Sequence, residues 1–155
     1  MSRSVRAEAT IEAPIDRVWE ILLDLPRYEE WNPFTARVES TLRVGDPIVL
    51  YPRLIGDRAY AWTERVCRNE PYDLCWVLTL GARFLLTAER CQTLTDLGGD
   101  RTHYVTEDVF EGILTPLVMA TFGGAMQRGF EDCAAGLKEH AEKNAEKREN
   151  GEPRE

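Results

Sequence analysis

The sequence predicts an α+β fold: one strand, two short helices, six more strands in a single antiparallel sheet, and one long C-terminal helix. Three observations carry this. Val5, Ala7, Ala9 and Ile11 alternate with polar residues, the period of a half-buried strand. From Phe34 to Glu111, short alternating stretches are separated by turn residues such as Gly45-Asp46-Pro47 and Gly98-Gly99-Asp100. After Gly112 the apolar spacing changes to three and four and holds to about Lys147.

Each element has a local reason. Pro14 suits a helix start, and Asp16 favours the positive helix end. Val18, Ile21, Leu22 and Leu25 share a helical face over residues 15–24, which Pro26 ends. Tyr28 to Trp31 adds one turn before Asn32-Pro33 stops it. Strands follow over 35–42, 48–54, 59–68, 74–80, 84–97 and 101–111, with short connections that make consecutive antiparallel hairpins. Thr115 is a candidate cap with Pro116 in first helical position. The stripe Val118, Phe122, Met126, Phe130, Cys133, Leu137 and Ala141 builds the long helix.

The 155 residues suit one domain, assigned to 1–147 with a flexible tail of mixed charge over 148–155. Hydrophobic residues are 43% and charged residues 30%, as in a globular protein. No apolar run reaches the roughly 20 residues of a membrane span, and Met1 to Glu8 lacks a signal-peptide core. A cytoplasmic protein is therefore expected, with its cysteines as thiols, although Cys67 and Cys75 flank a turn and are placed to face each other. A net charge of −8 without a basic patch argues against nucleic acid. The cysteines form no CxxC pair and there are only two histidines, so no metal site is expected. No phosphate loop or G-x-S-x-G elbow is present, and no cofactor is expected.

Four segments, "IEAPIDRVWEILLDLPRYEEWNPF" (11–34), "VGDPI" (44–48), "YVTEDVFEGIL" (104–114) and "RGFEDCAAGLKEHAE" (128–142), resemble the START-like, or helix-grip, superfamily. The similarity is greatest to the polyketide cyclase/dehydrase-like branch. The resemblance implies a curved seven-stranded sheet wrapped round the C-terminal helix, with an apolar cavity between them. Members bind lipids, sterols, polyketides or hormones, and a minority catalyse cyclisation or dehydration. It also places the short helices as a plug at one end of the sheet, with Trp31 and Phe34 at the plug. Those two rings are core packing in one reading and cavity wall in the other.

Strand alternation sorts the remaining candidates. Tyr104, Thr106, Asp108 and Phe110 share a face, taken as inward because it carries the larger rings and because the family's matching positions face in. His103 then points to solvent. A three-residue loop at 98–100 pairs Leu97 with Arg101 and sets Leu94 opposite Tyr104, Gln92 opposite Thr106, and Arg90 opposite Asp108. Arg90 and Asp108 then form either a structural ion pair or a clamp for an acidic or carbonyl ligand group. Trp76 and Leu78 share one inward face, and Trp62 and Glu64 another, with Tyr60 near the mouth. Glu64 is either an acid of raised pKa or the partner of an arginine. Val118, Phe122, Met126 and Phe130 face them from the long helix. Gly123-Gly124 there means either close packing or room and a kink. The expected function is binding of a small hydrophobic molecule in a monomer or homodimer. The alternative is a cyclase or dehydrase in which Arg90, Asp108 and Glu64 are the catalytic candidates.

Overall fold

The chain begins as a sheet edge. In the computed structural model, which describes residues 2–151, Ser2–Ile11 is the first strand, β1, and buries Val5, Ala7 and Ile11 on one face. Pro14 caps helix α1 (Ile15–Leu23), whose Val18 and Leu22 are fully buried. A 3-10 turn, Leu25–Glu30, follows with Pro26 in its first turn. Six more strands come next: β2 (Val38–Ser40), β3 (Pro47–Leu50), β4 (Trp62–Glu70), β5 (Asp73–Leu80), β6 (Leu86–Gly98) and β7 (Arg101–Glu111). Helix α2 (Thr115–Glu149) ends the described fold. All neighbouring strands are antiparallel, in the order β1-β7-β6-β5-β4-β3-β2.

Several boundaries differ from expectation. The strands over 35–42 and 48–54 shrink to three and four residues, and a single bridge between Ile55 and Arg58 marks the turn that follows the second. The stretch 59–68 starts later and runs further, to Glu70. Thr115 is not the cap: it is the first helical residue, Leu114 occupies the cap, and the buried Thr115 Oγ1 has no hydrogen-bond partner. The helix runs two residues past Lys147, and residues 152–155 of the expected tail lie outside the described residues. The 98–100 loop is a two-residue turn. Gly98 pairs with Arg101 and Leu97 is bulged out, so the register beyond it is the expected one: Leu94 with Tyr104, Gln92 with Thr106, Arg90 with Asp108.

The segment "EEWNPF" is shaped by its contact with α2. Asn32 Oδ1 accepts the Thr35 N–H at 2.9 Å, closing a tight turn that Pro33 favours. Tyr28 donates its hydroxyl to the Leu22 carbonyl at 2.6 Å and packs against the Trp31 ring, centroids 4.7 Å apart. Two helix glycines then receive the turn. A Cβ at Gly136 would lie 1.9 Å from the Trp31 carbonyl oxygen, and one at Gly129 would lie 2.3 Å from the Phe34 ring. Their spacing of seven residues puts both on one face of α2. Trp31 and Phe34 are thus core residues that fix α2 to the plug.

The exposed edge of β1 is covered by α2 side chains. Gln127 donates to the Arg6 carbonyl at 2.8 Å and accepts the Arg6 N–H at 3.3 Å, Lys138 donates to the Thr10 carbonyl at 2.6 Å, and Glu142 accepts the Glu12 N–H at 3.0 Å. These bonds satisfy groups that would otherwise offer a template to another strand.

The cysteines depart from the expectation of thiols. Cys75 and Cys91 are directly paired on β5 and β6, with Cα atoms 4.2 Å apart, and form a disulfide. Cys67 is excluded from this pair by a bulge in β4, which brings Arg68 rather than Cys67 opposite Cys75. Cys67 and Cys133 are free.

Candidate ligand-binding site

Two ends of the sheet differ. At one, α1 and the 3-10 turn close the space: Tyr72 donates to Asp16 at 2.5 Å, Trp19 meets the Tyr72 ring edge-on, and Thr102 donates to the Ala13 carbonyl at 2.8 Å. The other end holds the β3–β4 and β5–β6 connections and the entry to α2. There Gly112, at φ +117°, passes within 2.5 Å of the Leu85 carbonyl at its missing Cβ, an approach only glycine permits. Ile113 and Leu114 donate backbone bonds to Phe84 and Leu85, both at 3.0 Å, and tie the helix entry to the hairpin.

The helix touches the sheet unevenly. It is held tightly at Gly129 and Gly136, yet a Cβ at buried Gly123 would meet nothing but the flexible Met119 side chain within 4 Å, and one at Gly124 only Arg128. No sheet atom comes within 4 Å of either missing Cβ, so the tight contact between helix and sheet is not made at Gly123-Gly124, although Val118, Met119 and Phe122 around the pair pack against the core. Val118 and Phe122 are half-buried there, while Met126 and Phe130 deeper in are buried.

The inward face of the sheet carries the polar row that the register requires. Arg90, Gln92, Tyr104, Thr106 and Asp108 are all buried. Tyr104 donates to Gln92 Oε1 at 2.6 Å, which satisfies both in an apolar setting. Arg90 behaves differently from the expected ion pair. It sits opposite Asp108, but its Nε donates diagonally to Thr106 Oγ1 at 3.2 Å, and its Nη2 lies 3.9 Å from Cys133 Sγ on α2. Its guanidinium lies 4.2 Å from the Phe130 ring centroid and 5.5 Å from that of Trp76. No carboxylate of the described residues lies within 4 Å of it, and Asp108 Oδ1 has no hydrogen-bond partner. The side chain reaches toward the helix instead of along the row, and so forfeits the carboxylate.

Burial sets the titration of the row. It works against the Arg90 charge, but Cys133, Tyr104 and Asp108 outweigh it and hold the pKa above the ordinary value. Burial pushes Asp108 up to about 6, against the pull of Arg90. Glu64 is pushed up to about 8, by burial first and by the Asp108 charge second. Glu64 is part-buried and pairs with no arginine of the described residues, so the expected ion pair is not formed among them. On the register, buried Ala88 lies between Leu78 of β5 and Phe110 of β7.

The other candidates divide by depth. Trp76 and Phe110 are buried, and Leu78 is half-buried beside them. Tyr60 (50% exposed) and Trp62 (42%) stand at the rim, and Phe84 (66%) points away from the interior, so neither Trp62 nor Phe84 fills it. His103 faces outward and lies 3.2 Å from Glu8. Sequence reasoning missed Cys133 and Tyr28: the thiol meets Arg90 and Tyr104, and Tyr28 lies close enough for its hydroxyl to feel the Arg90 charge. Cys133 was visible only as one member of the apolar helix stripe.

The family model for polyketide cyclase/dehydrase and lipid transport matches residues 2–142. The chain belongs to this family. Solved structures agree on the fold. The Zhui aromatase/cyclase from Streptomyces sp. R1128 superposes with a TM-score of 0.75 at 18% identity, covering 94% of this chain and 96% of that one. A START superfamily protein from Mycobacterium smegmatis gives 0.67 at 19% identity, covering 91% and 98%. The protein TTHA0849 from Thermus thermophilus gives 0.68 at 21% identity, covering 90% and 97%. No curated protein matches. Membership accounts for the seven-stranded sheet gripping one helix, and no described helix is long and apolar enough to cross a membrane.

Proposed function

We propose that this member of the family binds a small, mostly apolar molecule between the sheet and the first half of α2, and that Arg90 receives an acidic or carbonyl oxygen of that ligand. The carrying observation is the buried guanidinium with no carboxylate within 4 Å. A buried charge without a counter-ion is costly, and a bound oxygen with partial or full negative charge would offset that cost. The aromatic walls Trp76, Phe110 and Phe130 supply the apolar contact, and Tyr60 and Trp62 border the approach. The family description, polyketide cyclase/dehydrase and lipid transport, supports the ligand class.

A second reading is favoured by the two carboxyls of raised pKa. Near neutral pH, protonated Glu64 is an acid and ionised Asp108 a base, on either side of Arg90. A flexible polyketone folded against these walls would have its enolate stabilised by Arg90 and its protons moved by Asp108 and Glu64. Native mass spectrometry of the protein from its host, with extraction of bound material, tests the first reading. A stoichiometric hydrophobic compound is expected, and Arg90→Met should lose it. An empty protein that also refuses an apolar fluorescent probe would sink the binding reading. Turnover of the extracted compound that survives Arg90→Met and Asp108→Asn would exclude the catalytic one.

A further inference from the structure

Nine large hydrophobic side chains are exposed among the described residues, and seven of them lie at the end of the sheet opposite α1. Ile55, Tyr60 and Trp62 come from the β3–β4 connection and its strand, Leu80 and Phe84 from the β5–β6 hairpin, and Ile113 and Leu117 from the entry to α2. Phe84, Ile113 and Leu117 are each more than 60% exposed, at 66%, 68% and 64%. Isolated exposed apolar residues are ordinary, but this clustering at one end is not.

The charge at this end opposes that of the molecule. The protein carries −8 overall. The same two connections present Arg53, Arg58 and Arg83, all exposed, against the one acidic residue Asp57. None of the three arginines forms a side-chain ion pair with a described residue. Protruding aromatic and aliphatic side chains ringed by unpaired arginines match the boundary between anionic headgroups and acyl chains. A rim-to-rim dimer would oppose arginines to arginines, and the apolar tips stand on three separate connections.

We propose that this end docks on the surface of a membrane containing anionic phospholipid, with Phe84, Ile113 and Leu117 entering the headgroup region and Arg53, Arg58 and Arg83 binding phosphates. The proposal does not depend on what the interior holds. Flotation of the full chain with phosphatidylcholine vesicles, with and without phosphatidylglycerol, tests it. Binding is expected only with phosphatidylglycerol, and high salt should weaken it. The triple variant Arg53→Gln, Arg58→Gln, Arg83→Gln should lower partitioning on the order of 100-fold, and Phe84→Ser should weaken it separately. Both changes are at exposed positions, so circular dichroism should confirm an unchanged fold. No flotation with either vesicle, or flotation that these variants leave intact, overturns the proposal. So does a rim whose substitution dissolves a protein complex while vesicles are ignored. Uptake of an apolar probe from solution, measured in parallel, reports on the interior alone: uptake without flotation defeats the docking and spares the binding reading, and flotation without uptake does the reverse.

Discussion

Glu64 and Asp108 are harder to ionise in the fold than in the unfolded chain, chiefly because burial disfavours the charge. The sign of the pH effect follows. Between the ordinary value of 4.5 and about 8, the folded protein keeps the Glu64 proton that the unfolded chain has lost. For Asp108 the window is 3.8 to about 6. The stability these protons contribute is full below the lower limits and declines as pH rises through the upper ones. Urea unfolding from acid to mildly basic pH should show this decline, and Glu64→Gln should flatten the part that extends to about 8. An unchanged slope in that variant would mean that another group titrates. Arg90 was legible as a buried inward residue from alternation and hairpin pairing, once the larger rings of β7 and the family resemblance had set which face is inward. Its partners were not, because a long side chain chooses among Asp108, Thr106 and the helix by three-dimensional reach, which strand register does not encode.

At the scale of elements, α2 holds glycines of two kinds. Gly136 and Gly129 take the Trp31 carbonyl and the Phe34 ring where a methyl group would sit, whereas Gly124 faces nearly open space. Gly136→Ala should therefore destabilise by about 1–3 kcal/mol through forced displacement of the plug. Gly124→Ala should stabilise by up to about 1 kcal/mol, since it only raises helix propensity. Thermal unfolding of the two variants checks the opposite signs. The sequence draws the eye to the Gly123-Gly124 pair, yet the close contact is at the two single glycines, whose meaning depends on a partner segment about a hundred residues away. The strand and helix order was readable because period two and period 3.6 are local properties. The shortening of β2 and β3 was not, because where a strand stops pairing depends on its neighbours in the folded sheet.

The molecule as a whole is stapled on the face of the sheet away from α2. The Cys75–Cys91 bond joins β5 and β6 across a separation of 16 residues. Closing a loop of that size is worth about 3 kcal/mol in the chain-entropy description. Thiol titration of the denatured, unreduced protein should count two reactive groups, Cys67 and Cys133, and a dithiol reductant should lower the unfolding midpoint. Four reactive thiols would mean that the bond is absent. Cysteine spacing could not reveal this pairing, since the bulge that removes Cys67 from the partner position is a feature of the folded β4.

One end of the sheet is shut by α1 and the 3-10 turn, and the other is bordered by three short connections. In the proposed binding mode, a ligand seated against Arg90 would arrive and leave by that second end. Loosening that end without touching the seat speeds both directions by the same factor. Residence time and loading rate would shift together while the equilibrium constant stayed fixed, so the loops can tune how quickly the protein exchanges its cargo independently of how tightly it holds it.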